Sequence, residues 1–411
     1  MKFEEFDITP EIKKSLEELG FKKPTDIQFK SIPPILKGED VLAIAQTGTG
    51  KTAAFAIPII HIVHEQKGRT HDGIKAVVMV PTHELAIQIT EVFNTIGQYT
   101  GVKTFSLYGG VDQAPQIKQF EEGVDILVTT PGRMFDLMSQ GHIKLDRVEV
   151  LVLDEADHMM DLGFIKDIQD VIKRLPKNRQ TLFFSATIND KIKKIAYSLV
   201  RNAIRIQISP KDPVSKNIHH SVAFVEMEDK RFFLERVINE NADKKILVFV
   251  RTKVRAERVM SALERMGIHS MTIHSDKEQQ DRLDVMRRFR SGEVKILIAT
   301  DISARGIDIA NVDYVVNYDL PDVSENYVHR VGRTGRGVQK GQAISFCSEE
   351  EKDMLHEIES FLEQTIKVLE IHKGDYSQTI DLTNEKHTDW KTLMKEIQKH
   401  DEDPKKKKKK K

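Results

Sequence analysis

Three clusters of residues in this chain have the types and spacing that phosphate chemistry requires. AQTGTGKT (45–52) sets Ala45, Gln46, Thr47, Gly48, Thr49, Gly50, Lys51 and Thr52 between an apolar strand pattern and the apolar helix pattern AAFAIPII. Gly48 and Gly50 free backbone N–H groups to point at phosphate oxygens beside a helix N-terminus. Lys51 adds a point charge for the β/γ-phosphates, and Thr52 offers its hydroxyl to Mg²⁺. The pattern is that of a P-loop, with Ala45 where glycine is usual. VLVLDEAD (150–157) places Asp154 and Glu155 at the end of a buried strand, where such a fold presents its Mg²⁺ carboxylate. Asp154 is expected to hold the metal and Glu155 to orient or deprotonate the attacking water, so the metal set is Thr52, Asp154 and Glu155. HRVGRTGRG (329–337) spaces Arg330, Arg333 and Arg336 three apart, so that guanidiniums can reach a phosphoryl group across an interface. The bland alternatives are a glycine-rich turn, an acidic turn and a solvated basic turn. Together the three clusters describe one ATP site completed by two domains.

The elements that must position these groups are legible as apolar runs followed by helical patterns. In the first half the runs fall at 41–45, 76–80, 104–107, 125–128, 150–153, 181–184 and 204–208. Continuous Val/Ile/Leu runs of this length suit a parallel sheet buried on both faces. SPKDPVSKN (209–217) interrupts the pattern and reads as a linker. Runs then resume at 222–225, 246–250, 270–273, 294–299, 314–316 and 343–346. The expectation is an α/β protein with two tandem domains, each a mostly parallel sheet flanked by helices. The bounds are 1–29 (leading segment), 30–208 (domain 1), 209–217 (linker), 218–369 (domain 2) and 370–411 (polar tail). In the leading segment Thr9 and Pro10 start a helix, Ile12, Leu16 and Leu19 form its apolar face, and Gly20 ends it. One tail helix is expected at 390–398, with Trp390 anchoring it to a core.

The 411 residues carry 63 Lys+Arg and 63 Asp+Glu, a neutral sum of unlike parts. Residues 1–404 are net acidic, and seven lysines at 405–411 cancel the excess. The single cysteine, Cys347, excludes an intrachain disulfide. MKFEEFDITP lacks the apolar core of a signal peptide, and no run approaches the ~20 apolar residues of a membrane span. A cytoplasmic monomer is expected. His61 and His64 lie three apart with no matching pair, so metal binding there is not expected; Met159, Met160, Met271 and Met286 read as core.

The order of motifs resembles a DEAD-box RNA helicase of superfamily 2, with two RecA-like domains, and the core is similar to the compact bacterial RhlE-like group. The resemblance runs from about Phe3 to Phe346. It implies that GFKKPTDIQ (20–28) is the family's Q motif, with Phe21 stacking on adenine, Gln28 reading its edge and Phe3 at the upstream aromatic position. SAT (Ser185, Ala186, Thr187) would couple hydrolysis to strand separation together with Asp157 and His329. Gly306 and Asp308 would lie near the γ-phosphate and ribose, and Arg333 and Arg336 at the arginine-finger positions. The implied RNA contacts are Pro81, Thr82, Gly109, Gly110, Thr130, Pro131, Gly132 and Arg133 in domain 1, and Arg251, Thr252, Gln279, Arg282 and Thr300 in domain 2. His83 stands where the family has arginine, Ser275 where glycine is usual and Ser303 where alanine is usual. The implied activity is ATP-dependent local unwinding of RNA through sugar and phosphate contacts, with no sequence preference. ATP and Mg²⁺ are the implied cofactors. A DNA helicase on the same fold and an ATP-gated RNA clamp are the competing readings. Nucleic-acid preference of the ATPase separates the first, and opening of a short RNA duplex the second.

Overall fold

The computed structural model describes residues 2–46, 48–66, 73–188, 190–208, 214, 217–301, 309, 312–335, 340–371, 374 and 376–380. Thr47, Ser303, Gly306, Asp308, Arg336 and Trp390 lie outside these residues, as do most of the linker and the lysine run. Each apolar run forms a strand, and the strands form two sheets of seven. The first sheet contains β1 (Val41–Ile44), β2 (Ala76–Met79), β3 (Thr104–Leu107), β4 (Ile126–Thr129), β5 (Val150–Leu153), β6 (Gln180–Ser185) and β7 (Ile204–Gln207). Its order is β3-β4-β2-β5-β6-β1-β7. The second contains β8 (Ile218–Phe224), β9 (Ile246–Phe249), β10 (Met271–Ile273), β11 (Ile296–Ala299), β12 (Tyr314–Asn317), β13 (Gly341–Cys347) and β14 (Lys367–Val368). Its order, β10-β11-β9-β12-β13-β8-β14, repeats that of the first. Neighbouring strands run parallel throughout both sheets, for example Val41 opposite Leu182 and Ile246 opposite Ile296.

Alternation along the strands explains why the central runs, such as β1, β2, β5, β9 and β11, are apolar at every position. Val41, Ala43, Val78, Val152 and Phe184 point into one core of domain 1, while Leu42, Val77, Leu151 and Phe183 point into a second core on the opposite face. Domain 2 divides in the same way, Leu247 and Phe249 on one side and Ile246 and Val248 on the other. A strand buried on both faces favours apolar residues at every position, because each face is covered by helices; the buried polar exceptions, such as Thr181 and Asn317, carry hydrogen bonds.

The leading segment belongs to the first core: Phe3, Phe6, Ile8, Ile12, Leu16 and Ile27 are buried with β1. Helix Pro10–Glu18 starts at Pro10 as expected, but its apolar face is shorter than expected. Leu19 follows the last helical residue and is 40% exposed, since the chain turns away there at Gly20 (φ 74°). At the other end, Ile371 and Tyr376 pack on domain 2, so its body extends beyond residue 369. Met159, Met160 and Met286 are buried, as expected of core residues.

Candidate ATP and RNA site

The phosphate loop connects β1 to helix Lys51–Gln66. Gly48 (φ 80°) and Gly50 (φ 91°) take left-handed backbone conformations that a side chain would strain. Gly50 is also short of space: a Cβ there would lie 2.5 Å from Gln28 Nε2. Gln28 caps the next upstream helix, Asp26–Leu36, its Oε1 accepting from Thr25 N at 2.9 Å, and its Nε2 donates to Gly50 O at 3.2 Å. Phe21 meets the buried Phe3 edge-on, centroids 5.7 Å apart. The Q-motif residues and the phosphate loop are therefore one packed unit.

Lys51 opens its helix 7% exposed, and its Nζ has no hydrogen-bond partner among the described residues. A buried ammonium without acceptors is costly in an apolar setting and calls for an anion. Asp154, 3% exposed at the end of β5, answers it only in part. Burial pushes the Asp154 carboxyl above its usual range, against the pull of Lys51, and Glu155 adds repulsion. A divalent cation would reverse that shift. The residues present therefore fit both a phosphate and a hard cation, with oxygen donors at Asp154 and Thr52.

Glu155 is one of the few non-glycine residues with positive φ (49°), a conformation that costs on the order of 1–3 kcal/mol and clusters at active sites. Burial would raise its carboxyl, but His158, with Nδ1 3.6 Å from Oε2, outweighs it together with Lys51 and Arg333 and holds the group well below the usual range. Glu155 is thus a buried carboxylate kept ionised. Asp157 points the other way: its Oδ2 accepts from Ala186 N (3.2 Å), Thr187 N (3.0 Å) and Thr187 Oγ1 (3.0 Å), tying DEAD to SAT. Ser185 Oγ donates to Thr187 O at 2.7 Å and closes the turn.

Domain 2 completes this centre. A cavity of about 130 Å³ is lined by Glu155, Asp157, His158, Ala186 and Thr187 from domain 1 and by Val323, Glu325, His329 and Arg333 from domain 2. Arg333 is 4% exposed, and its Nε donates to His329 O at 3.2 Å. Arg330 departs from its expectation as a phosphate reacher. It is 1% exposed and turned inward, bidentate to Asp301 through Nε and Nη2 (2.5 and 2.7 Å), with Nη1 on Asp319 O at 2.7 Å. Only Arg330 lies on helix Ser324–Val331; Arg333 follows the C-cap Gly332, where the chain has left the helix, so the two side chains are free to diverge, one to the core and the other to the cleft.

The expected RNA contacts cluster at carboxyl ends of strands, where open α/β sheets bind ligands. Pro81 and Thr82 follow β2, Gly109 and Gly110 follow β3, and Thr130 to Arg133 follow β4; Arg251 and Thr252 follow β9, and Thr300 follows β11. Thr82 and Thr252 are matched N-caps, accepting from Leu85 N (3.3 Å) and Arg255 N (3.2 Å). Arg133 donates to Val111 O at 2.9 Å, which orders the Gly110 loop. Arg251 is anchored on Asp322 and Glu351, both at 3.0 Å. Gln279 and Arg282 bridge the domains: Gln279 Nε2 donates to Glu84 Oε1 (3.2 Å), its Oε1 accepts from His83 Nδ1 (3.2 Å), and Arg282 Nη2 pairs with Glu84 Oε1 (2.9 Å). Burial lowers the His83 pKa, so the ring at the family's arginine position is neutral near pH 7. Glu84 lies within the stretch PTHELAIQ (81–88) that resembles the family's first-domain RNA contacts but was not singled out there, and His158 was missed, its only signal being its place directly after DEAD.

Comparison with known proteins agrees with this geometry. The DEAD/DEAH box helicase family model matches residues 25–195, and the helicase conserved C-terminal domain matches 229–338. The chain is 41% identical over 372 residues to the ATP-dependent RNA helicase RhlB of Shewanella piezotolerans, covering 89% of this chain and 85% of that protein. The chain belongs to the DEAD-box family of ATP-dependent RNA helicases. A second bacterial helicase, CshA of Listeria monocytogenes, is 38% identical over 407 residues, covering 96% of this chain and 78% of that one. Among solved structures, S. cerevisiae Dbp5 bound to RNA and ADP BeF3 superposes with a TM-score of 0.81 at 30% identity, covering 97% and 99% of the two chains. The DEAD-box helicase Mss116 bound to ssRNA and UDP-BeF gives 0.83 at 29% identity, over 92% and 81%. This helicase therefore has two RecA-like domains, hydrolyses ATP, and binds and unwinds RNA. No helix among its described residues is long and apolar enough to cross a membrane.

Proposed function

We propose that ATP binds on domain 1, with Phe3, Phe21 and Gln28 around the adenine and the loop from Ala45 to Thr52 around the phosphates, and that RNA lies across both domains. The buried, unpartnered Lys51 ammonium beside Asp154 carries this reading. Thr52 and Asp154 would hold Mg²⁺, which supplies charge neutralisation at the phosphates. Glu155, kept ionised in the cavity between the domains, takes a proton from the attacking water as its oxygen bonds to the γ-phosphorus and the bond to the ADP oxygen breaks. Arg333, with Arg336 beside it in sequence, neutralises transition-state charge, and Gly306 and Asp308 contribute at the γ-phosphate and ribose. Asp157, Ser185, Ala186, Thr187 and His329 transmit the state of this centre between domains.

RNA contacts through Pro81, Thr82, the two loop glycines, the 130–133 turn, Arg251, Thr252, Gln279, Arg282 and Thr300 reach sugar and phosphate, so a strand is held bent without regard to sequence. Neutral His83 makes a weaker phosphate contact than arginine would. The enzyme acts as a cytoplasmic monomer, in which 30–208 and 218–369 are the two working bodies. Glu155→Gln tests the assignment: ATP and RNA should stay bound while turnover falls by about 10²–10⁴. Loss of ATP binding in that variant would make Glu155 a binding residue.

A further inference from the structure

One helix of domain 1 turns a basic and aromatic face to solvent. Helix Asp190–Leu199 follows the SAT turn and connects β6 to β7. Ile192 and Ala196, with Val200 just beyond, seat it in the core that also holds Leu42 of β1 and Phe183 of β6. Its opposite face carries Lys193, Lys194 and Tyr197, at the i, i+3 and i+4 offsets that bring side chains together, and Arg201 continues the row one turn on. All four are exposed, and their side chains make no hydrogen bond or ion pair among the described residues. A solvated helix face usually mixes the two signs of charge. Here the helix has a single carboxylate, Asp190, in its first turn.

Tyr197 is 50% exposed, more than any other aromatic side chain among the described residues. Tyr99, at 42%, is already engaged: its hydroxyl donates to Glu18 Oε2 at 2.9 Å, and Lys14 Nζ sits 4.0 Å from its ring centroid. The Tyr197 ring has no such partner among the described residues and stands open between cations. At the far end of the row Arg201 lies close enough to Arg179 for their charges to repel, and that repulsion adds to burial in pushing the Arg179 pKa down. Arg179 Nη1 donates to Pro176 O at 2.8 Å, while its Nε is buried with no hydrogen-bond partner among the described residues. Two adjacent guanidiniums, one incompletely bonded, suit an anion between them. Cations that track a backbone, spread along about 12 Å of helix with a ring on which a base can stack, suit single-stranded nucleic acid. The open ring favours a base over an acidic peptide. The site is separate from the cleft. The helix lies over β6 and β1, three to five strands from the loops after β4 and β3, or about 14–24 Å across the sheet.

We propose that single-stranded RNA beyond the cleft docks on this face of domain 1, a base stacking on Tyr197 and the neighbouring phosphates held by Lys193, Lys194, Arg201 and Arg179. Two labelled single strands of mixed sequence separate this contact from the cleft, one of ~8 nucleotides and one of ~30, each titrated by fluorescence anisotropy with a non-hydrolysable ATP analogue present. K193E/K194E should weaken binding of the longer strand by about tenfold or more and reduce the slope of log K against log salt by about 1.4. Tyr197→Ala should weaken it by about fivefold or more, and Tyr197→Phe should bind as the unaltered protein does. The shorter strand should bind every variant equally, with melting temperature and short-strand-stimulated ATPase unchanged. Undiminished binding of the longer strand in K193E/K194E and Tyr197→Ala overturns the proposal, and leaves the face to an acidic protein. Equal losses for both strands also overturn it, because the effect then belongs to the cleft or to the fold. A Tyr197→Phe variant as weak as Tyr197→Ala removes stacking, and with it the proposal.

Discussion

The two sheets have the same strand order, and each has a lysine at the same station. β1 leads through the phosphate loop into a helix that begins at Lys51, and β8, its counterpart in the second sheet, leads into a helix that begins at Lys230. Lys51 is buried with no hydrogen-bond partner among the described residues, beside the carboxylate that follows β5. Lys230 is fully buried and satisfied: it pairs with Glu351, donates to Tyr318 O at 2.8 Å, and lies 3.8 Å from Asp319, two residues past β12 where Asp154 is one past β5. The framework that in domain 1 awaits a nucleotide is in domain 2 closed by its own acids. That network also holds Arg251 through Glu351 and Arg255 through Asp319 at 2.6 Å. Domain 2 has thus converted a phosphate station into a brace for its own arginines.

Substituting the two lysines should break that symmetry most sharply. Lys51→Ala is expected to cut RNA-stimulated ATP turnover by about 10²–10³ or more while barely moving the melting temperature. Lys230→Ala should do the reverse to stability, leaving Glu351 and Asp319 buried without their ammonium at a cost of about 3–5 kcal/mol, read by denaturant unfolding. An ordinary melting curve for Lys230→Ala would end the comparison. Next in size is the bridge between the sheets. Gln279→Ala removes two hydrogen bonds of about 0.5–1.5 kcal/mol each, so a non-hydrolysable ATP analogue should bind roughly tenfold more weakly in the presence of RNA. Its affinity without RNA should hold. Weaker RNA binding alone would return Gln279 to the groove. The smallest effect concerns acid. Glu257, against His274, Thr272 and Lys277, has its carboxyl lowered to about 2 despite partial burial. A depressed carboxyl stabilises the fold above its unfolded pKa, near 4.5, and that contribution drains away as pH falls toward 2. The side chain is 39% exposed, so solvent screening keeps the contribution under about 1 kcal/mol. Glu257→Gln should flatten the unfolding free energy between pH 5 and pH 3; an unchanged slope would remove this pair from the account.

Much of this was readable before any coordinates. The central strands announce themselves because burial on both faces favours unbroken apolar runs, and AQTGTGKT and DEAD announce themselves because phosphate and metal chemistry restrict residue type at fixed spacing. Arg330 did not, since residue type says nothing about which way a helix presents it; the acceptors Asp301 and Asp319 decide that from distant parts of the chain. The same holds for Gln279, whose partners His83 and Glu84 lie in the other domain. Leu19 was misplaced by one step of a helix that ends sooner than its apolar spacing. Long-range pairing, more than local propensity, is what the sequence hides.

The side chain of Gln28 has a finite inventory. A primary amide offers two N–H donors and two acceptor lone pairs. One lone pair is spent on Thr25 N and one N–H on Gly50 O. What is left is a single donor and a single acceptor, side by side. That remainder matches N7 and the exocyclic amine of adenine; guanine, with a carbonyl in place of the amine, would set oxygen against oxygen. In the proposed site the base would thus be chosen by subtraction, and the residue making that choice is the one that also holds Gly50 of the phosphate loop.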